Sequence, residues 1–364
     1  MASKLLTSDF NYPLPADRIA MEPMTDRHAA RLLVRSAAGQ LRHEHIGGLP
    51  GLLPPGTLLI VNDSRVIPAR TMGRTRTGAQ AEIFLLEPLD AAGQEWKALG
   101  KPFRKLARGA TVDLPGDGQI VVLDAGNDSG QPWLRVRFQS PATGVLSWLD
   151  RWGTIPLPPY ITRDRPPEAG TSRDARNYQT VYAREKGSVA APTAGLHFTP
   201  ALLDQLRSAG IGLAGVTLHV GSGTFLPVKA ADPDQHAMHD ERFLVPAGTL
   251  TAIRQARQEK RPVVAVGTTA LRSLEALALE NGAPDQWHRT NLFIRARHRD
   301  ERYHPRLVDG LLTNFHQPES TLFMLICALL GFDKAHAVYR TAVEENYRFF
   351  SYGDACLFWL RSGV

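Results

Sequence analysis

Between residues 69 and 150 the chain changes texture, and that change restricts the possible folds more than any other feature. Short alternating runs at 81–87, 95–99, 119–124 and 133–138 are separated by turns such as Pro115-Gly116-Asp117-Gly118 and Gly126-Asn127-Asp128. A period of two with Gly, Pro and Asp punctuation suits half-buried antiparallel strands and no amphipathic helix, so a small barrel or sandwich is expected there. Ahead of it, Leu58–Asn62 is a short apolar strand ending in Asn-Asp-Ser, and Pro68 marks the exit.

After the proline-rich Pro156-Leu-Pro-Pro159 the pattern becomes α/β. Thr199 is placed to cap a helix, Pro200 sits in its first turn, and Leu202, Leu203 and Leu206 make an apolar stripe that ends at Gly210. A strand is expected over 211–220 and an amphipathic helix over 249–259. The strand Val263–Val266, the turn Gly267-Thr268-Thr269 and a helix over 270–280 follow. Two further helices are expected at 319–330 and 333–347, and Phe358 and Trp359 belong to a closing strand. Residues 163–176, with mixed charges, Pro, Gly and Ser, read as a mobile loop. No internal repeat is visible.

A chain of 364 residues suits two domains, or one with a large insertion. Its net charge of +6 suits a polyanionic partner without naming one. The two cysteines, Cys327 and Cys356, have no Cys-x-x-Cys spacing, so neither a disulfide framework nor a thiolate metal site is indicated. The first ten residues lack the apolar core of a signal peptide, and the longest apolar run, 322–332, is too short to cross a bilayer. A soluble cytoplasmic protein without a membrane partner is expected, as monomer or homodimer.

Chemistry concentrates between residues 181 and 225. Two loops rich in Gly and small residues, each with a histidine near an aromatic, flank one helix–strand unit. Pro192, Gly195, Gly221 and Gly223 permit turns and close backbone approach, and His197 and His219 are suited to proton transfer near neutral pH. Gly221-Ser-Gly-Thr224 is either an ordinary glycine turn or a loop that approaches a nucleoside, with Phe225 packed on it. It is not a phosphate loop opening a helix, because Phe-Leu-Pro227 follows. At Gly267-Thr268-Thr269 a threonine is either a plain N-cap or part of an anion site completed by Arg272. His236 and His239, spaced to share a helix face with Glu241 nearby, read as a hydrogen-bonded pair; no metal is expected. Asn314 and His316 precede a helix that Pro318 and Ser320 open, and they are placed either to serve that start or to contact a base or amine. Arg295, Arg297, Arg299, Arg302 and Arg306 form either a solvated loop or a surface for backbone phosphates.

Several of these segments carry a resemblance. Val-Asn-Asp-Ser-Arg-Val-Ile-Pro-Ala-Arg (61–70), Ala-Ala-Pro-Thr-Ala-Gly-Leu-His-Phe (190–198), Thr-Leu-His-Val-Gly-Ser-Gly-Thr-Phe (217–225), Ala-Val-Gly-Thr-Thr-Ala-Leu-Arg-Ser-Leu-Glu (265–275) and Leu-Thr-Asn-Phe-His-Gln-Pro-Glu-Ser-Thr-Leu (312–322) resemble the signatures of the S-adenosylmethionine:tRNA ribosyltransferase-isomerases of the queuosine pathway. So do Pro-Leu-Pro-Pro-Tyr-Ile (156–161), Tyr-Gln-Thr-Val-Tyr (178–182), His-Ala-Met-His-Asp-Glu (236–241) and Tyr-Arg-Phe-Phe-Ser-Tyr-Gly-Asp-Ala (347–355).

The resemblance implies an α/β main domain, 1–68 and 151–364, with an inserted antiparallel β-barrel domain, 69–150. It implies transfer and isomerisation of ribose from S-adenosylmethionine onto 7-aminomethyl-7-deazaguanine at the tRNA wobble position, with adenine and methionine leaving. His219 is the first candidate for proton transfer and His197 the second, followed by Glu241 and His239. Thr193, Gly195, Phe198, Gly221, Gly223, Thr224, Phe225, Thr268, Thr269, Arg272, Asn314 and His316 are the candidate substrate contacts. S-adenosylmethionine is consumed as substrate, and neither metal nor redox cofactor is implied. Residues 295–306 depart from the family pattern. That departure leaves open an enzyme with another acceptor, while charge and barrel alone also fit a non-catalytic RNA-binding module.

Overall fold

The computed structural model describes residues 3–128, 131–141, 144–161, 173–221, 223 and 228–361. The chain forms two compact units. One comprises Met1–Ser64, Thr180–Glu185 and Pro192–Val364, and the other Arg65–Gln179 and Lys186–Ala191. Residues 151–161 and 173–179 are grouped with the barrel strands in the second unit.

In the larger unit a nine-stranded mixed sheet carries the site. Its order is Trp287–Thr290, Glu241–Leu244, Gly212–His219, Leu58–Asn62, Val263–Val266, Gly310–Asn314, Ala355–Trp359, Arg31–Arg35 and Leu41–His45. The four central strands, Gly212–His219 through Gly310–Asn314, run parallel, and the strands at both flanks introduce antiparallel pairs. Leu58–Asn62, Val263–Val266 and Gly310–Asn314 are buried at every position, as expected for parallel strands covered on both faces. Each fully buried Leu, Ile or Val there contributes roughly 1.5–3 kcal/mol relative to exposure.

Local signals set the helix starts. Thr199 Oγ1 accepts the Leu202 N–H at 3.2 Å, Pro200 occupies the first turn, and the helix Pro200–Ser208 buries Leu202 and Leu206 against the sheet core. Ser320 Oγ likewise accepts from Phe323 N and opens Thr321–Leu330, buried throughout from Phe323 to Leu330. Among the described residues no single helix is long and apolar enough to cross a membrane.

The smaller unit holds a closed six-stranded barrel, with strand order Gln131–Ser140, Glu95–Lys101, Gln80–Pro88, Arg70–Thr75, Thr111–Asp113 and Gln119–Asp128. Every neighbouring pair is antiparallel. The alternation seen in sequence turns Ala81, Ile83 and Leu85 inward with Trp96, Ala98, Val112 and Leu134. The barrel alternative therefore holds over the sandwich. Of the loop expected at 163–176, residues 163–172 lie outside the described residues, and Arg173–Asn177 form a short helix.

Candidate active site

The four parallel strands end at one edge of the sheet, the place where open α/β sheets bind ligands. Asn62 organises that edge. Its Nδ2 donates to Leu218 O at 2.9 Å and to Thr269 Oγ1 at 3.2 Å, while Oδ1 accepts from Leu218 N at 3.0 Å and Ser64 N at 3.1 Å. Two donors and two acceptor positions are thereby filled on one fully buried amide. Asp63 beside it accepts from Thr217 Oγ1 at 2.7 Å and pairs with Arg184 at 3.2 Å. Three chain segments are thus held in register at one point.

Ser64 Oγ and His219 Nδ1 meet at 2.8 Å on this frame. The His219 ring stacks on Trp287 with centroids 4.9 Å apart and planes at 28°, and the Arg242 guanidinium lies 4.8 Å from the Trp287 centroid. Burial, and secondarily the Arg242 charge, lowers the His219 pKa from 6.5 to about 4. The imidazole is therefore neutral at physiological pH and able to accept a proton.

His197 sits in a separate hydrogen-bonded set. Thr193 Oγ1 donates to Asn314 Oδ1 at 2.9 Å, and Asn314 Nδ2 faces His197 Nε2 at 3.2 Å. With the amide oriented by Thr193, Nε2 is the acceptor, so that lone pair of His197 is already used. Burial, then Arg27 and Arg348, lowers its pKa to about 4. Gly195 lies in the same turn, Thr193–His197, where a Cβ would stand 2.0 Å from the Tyr182 hydroxyl; glycine is required there by contact. Phe198, expected to touch substrate, is instead fully buried in the sheet core against Tyr182 and offers no surface to a ligand. His316 is also buried, with Nε2 3.2 Å from Thr313 Oγ1, its N–H on Tyr339 and its carbonyl accepting from Tyr12. Burial pushes its pKa down to about 3.

The helix Thr268–Glu280 opens on the same edge. Gly267, at φ 90°, is its N-cap, and no side chain caps the helix. Thr268 and Thr269 are therefore its first two residues, not its cap, and the positive end of the helix is left without a capping side chain. Arg272 does not turn back to that end. It forms a buried ion pair with Glu241, and its Nε donates to Leu292 O at 3.1 Å. Glu241 Oε1 accepts the Gly221 N–H at 3.3 Å. Glu241, expected to move protons, thus holds a guanidinium and a glycine N–H.

A cleft lies over this pair, lined also by Gly223, His236, His239, Phe293 and Leu325. His236 and His239 do not share a helix face; the chain beyond Pro233–Gln235 is extended at His236, whose ring meets Phe293 edge-on at 5.9 Å. Among the described residues no group of three or more His, Cys, Asp or Glu is arranged to hold a metal ion. Thr224 and Phe225 lie outside the described residues.

The basic run is not a free charged loop. Arg295 and Arg297 pair with Asp234, Arg299 pairs with Asp333, Arg302 donates to Leu329 O, and Arg306 donates to Ala278 O. Glu275, fully buried in the helix Thr268–Glu280, accepts from Tyr303 and from Arg306 N, which ties the segment down.

Sequence reasoning missed Asn62, Ser64 and Trp287 as site residues. Asn62 and Ser64 carried a signal, polar residues at the end of an otherwise apolar strand and just beyond it. Trp287 carried none, since its meeting with His219 arises from strand pairing across Glu241–Leu244.

Comparison with known proteins agrees with this architecture. The family model described as queuosine biosynthesis protein matches residues 7–358. A protein named S-adenosylmethionine:tRNA ribosyltransferase-isomerase from a Bradyrhizobium species is 45% identical, covering 96% of each chain. One of the same name from Citrifermentans bemidjiense is 42% identical, covering 96% of this chain and 99% of the relative. The crystal structure of an S-adenosylmethionine tRNA ribosyltransferase from Thermotoga maritima is 33% identical with a TM-score of 0.52, covering 96% of this chain and 99% of that one. Given the full-length match and the shared sheet-plus-barrel fold, the chain belongs to the queuosine biosynthesis protein family.

Proposed function

We propose that the protein is an S-adenosylmethionine:tRNA ribosyltransferase-isomerase. In this reading it transfers and rearranges the ribosyl group of S-adenosylmethionine onto the aminomethyl nitrogen of 7-aminomethyl-7-deazaguanine at the tRNA wobble position. The product is epoxyqueuosine-tRNA, and adenine and methionine are released. The names of relatives aligned over nearly the full length support the reaction class. The observation that carries the site is the Ser64–His219 pair, a neutral imidazole held at the carboxyl ends of the parallel strands.

The sulfonium acidifies the ribose 5′-carbon, and His219 accepts the proton removed there, oriented by Ser64. The acceptor amine attacks the 1′-carbon in its neutral form. Adenine departs with help from protonation or hydrogen bonding, and methionine is the second leaving group. The uncapped start of the helix Thr268–Glu280 suits negative charge developing on the donor. His197, with its Nε2 engaged by Asn314, shapes the turn Thr193–His197 and has a supporting role. The donor brings its own leaving groups, so this reading requires neither metal nor redox cofactor.

The test is incubation with S-adenosylmethionine and tRNA carrying the aminomethyl base, followed by nucleoside mass analysis and measurement of adenine. The rearranged ribose and adenine are expected in equal amounts, unaffected by chelator. Guanine-bearing tRNA lacks the nucleophile and is expected to be inert. Adenine released only with a different acceptor would overturn the acceptor assignment while keeping the enzyme class.

A further inference from the structure

We infer that the cleft over Glu241 and Arg272 seats the methionyl end of S-adenosylmethionine, with Arg272 Nη2 donating to its α-carboxylate. This rests on the function proposed above and assigns a part of the donor to a place. Arg272 is 92% shielded, since 8% of its side chain is exposed. Glu241 takes Nη1 and Leu292 O takes Nε, while Nη2 is buried with no acceptor. A buried charged donor left without a partner is destabilising. An incoming anion removes that cost and is held by it.

The wall selects among anions. Leu292, Phe293 and Leu325 line the cleft beside the charged pair, so an apolar chain next to a single carboxylate fits. A phosphodiester or polyphosphate fits poorly, because the Glu241 carboxylate lies in the same wall and repels added negative charge.

The place also matches the chemistry. Gly221, whose N–H rests on Glu241, is two residues beyond His219. Thr269, one helical turn before Arg272, accepts from Asn62, and Asn62 also holds the Ser64 N–H. A donor anchored by its methionyl end at Arg272 therefore directs its ribose towards Ser64 and His219. Glu241 is a positioning residue in this account, acting through Arg272.

The experiment is calorimetric titration of the full chain with S-adenosylmethionine and with its decarboxylated analogue, which lacks only the carboxylate. The wild type is expected to bind the analogue at least about 10-fold more weakly, the loss typical of a charge-assisted hydrogen bond. Arg272→Met, checked for folding by thermal melting, is expected to bind both within about 2-fold. Equal binding of the two ligands by the wild type overturns the assignment and leaves the proposed function standing. Failure of folded wild type to bind S-adenosylmethionine at all sinks the function as well. Competition by inorganic phosphate at concentrations comparable to the donor also overturns it, making this a phosphate site. If Arg272→Met fails to fold, the wild-type pair of ligands still decides.

Discussion

Ser64 Oγ lies 2.8 Å from His219 Nδ1, joining two residues 155 positions apart at the ends of neighbouring parallel strands. The contact fixes the ring through one nitrogen and depends on Asn62, which holds the Ser64 and Leu218 backbones on either side. His219→Ala is expected to lower adenine release about 10²–10⁴-fold, the usual contribution of a positioned acid–base group. Ser64→Ala keeps the imidazole but frees its orientation, so a smaller loss in turnover is expected, with about 1 kcal/mol or less of stability lost. Turnover assays paired with urea unfolding check both. Full-rate turnover by His219→Ala would return the histidine to a structural role.

Buried neutral histidines give the protein an acid-sensitive stability. In the unfolded chain a histidine titrates near its ordinary value, roughly 6.5. Burial lowers His197 to about 4 and His316 to about 3 in the folded protein. As pH falls below roughly 6.5 the unfolded chain takes up protons that the folded one refuses, so stability is lost on acidification and is fully present above that value. The limiting slope is about 1.4 kcal/mol per pH unit for each such group. Urea midpoints at a series of pH values should fall from neutral towards pH 5, and His197→Gln should flatten the trend. With His219 as base, the acid limb of turnover is expected near pH 4, where its own lowered pKa lies. A limb at pH 6.5 would point to a different, solvated group.

Much of this was legible in the chain. The barrel showed itself because alternation at residues 81–87 and 133–138 survives in a strand with one buried face. Arg70–Thr75 and Thr111–Asp113 did not, since neither carries a clear apolar alternation and both depend on the strands beside them. Thr199 and Ser320 could be read as caps because capping is local chemistry. Arg272 could not be placed, because the rotation of its helix decides its partner. Thr269 faces Asn62, and Arg272, three residues on, faces Glu241. For the same reason the sequence offers Glu241 as an acid–base candidate without its ion pair to Arg272, and Phe198 as a substrate contact without its burial in the core.

The arginine segment carries a prediction opposite to its composition. Arg295 is 8% exposed and paired with Asp234, and Arg302 donates to the end of the helix Thr321–Leu330 through Leu329 O. Arg295→Ala is expected to destabilise the protein by about 1–3 kcal/mol through loss of a shielded charged contact. Neither Arg295→Ala nor Arg302→Ala should change the salt dependence of tRNA binding. A slope reduced by about one for either variant would identify a phosphate contact and contradict the internal role. Arg297 and Arg299, at 62% and 55% exposed, keep surface open to a polyanion.

Trp287 is 43% exposed on the edge strand of the large sheet, an unfavourable place for a large aromatic ring unless it does something there. Its ring stacks on a face of His219 and lies beside the Arg242 guanidinium, so it limits the rotation of the imidazole and shields that face from water. An aromatic contact of this kind is worth about 0.5–1.5 kcal/mol, or roughly 2- to 10-fold in a rate that depends on ring orientation. Trp287→Ala should therefore lower turnover by about that factor while the melting temperature stays within a few degrees, because an exposed edge residue contributes little to the core. Trp287→Phe keeps a stacking ring and should recover most of the rate. Loss of folding in Trp287→Ala would make the residue a structural edge plug. Unchanged turnover in a folded Trp287→Ala would show that Ser64 alone orients His219.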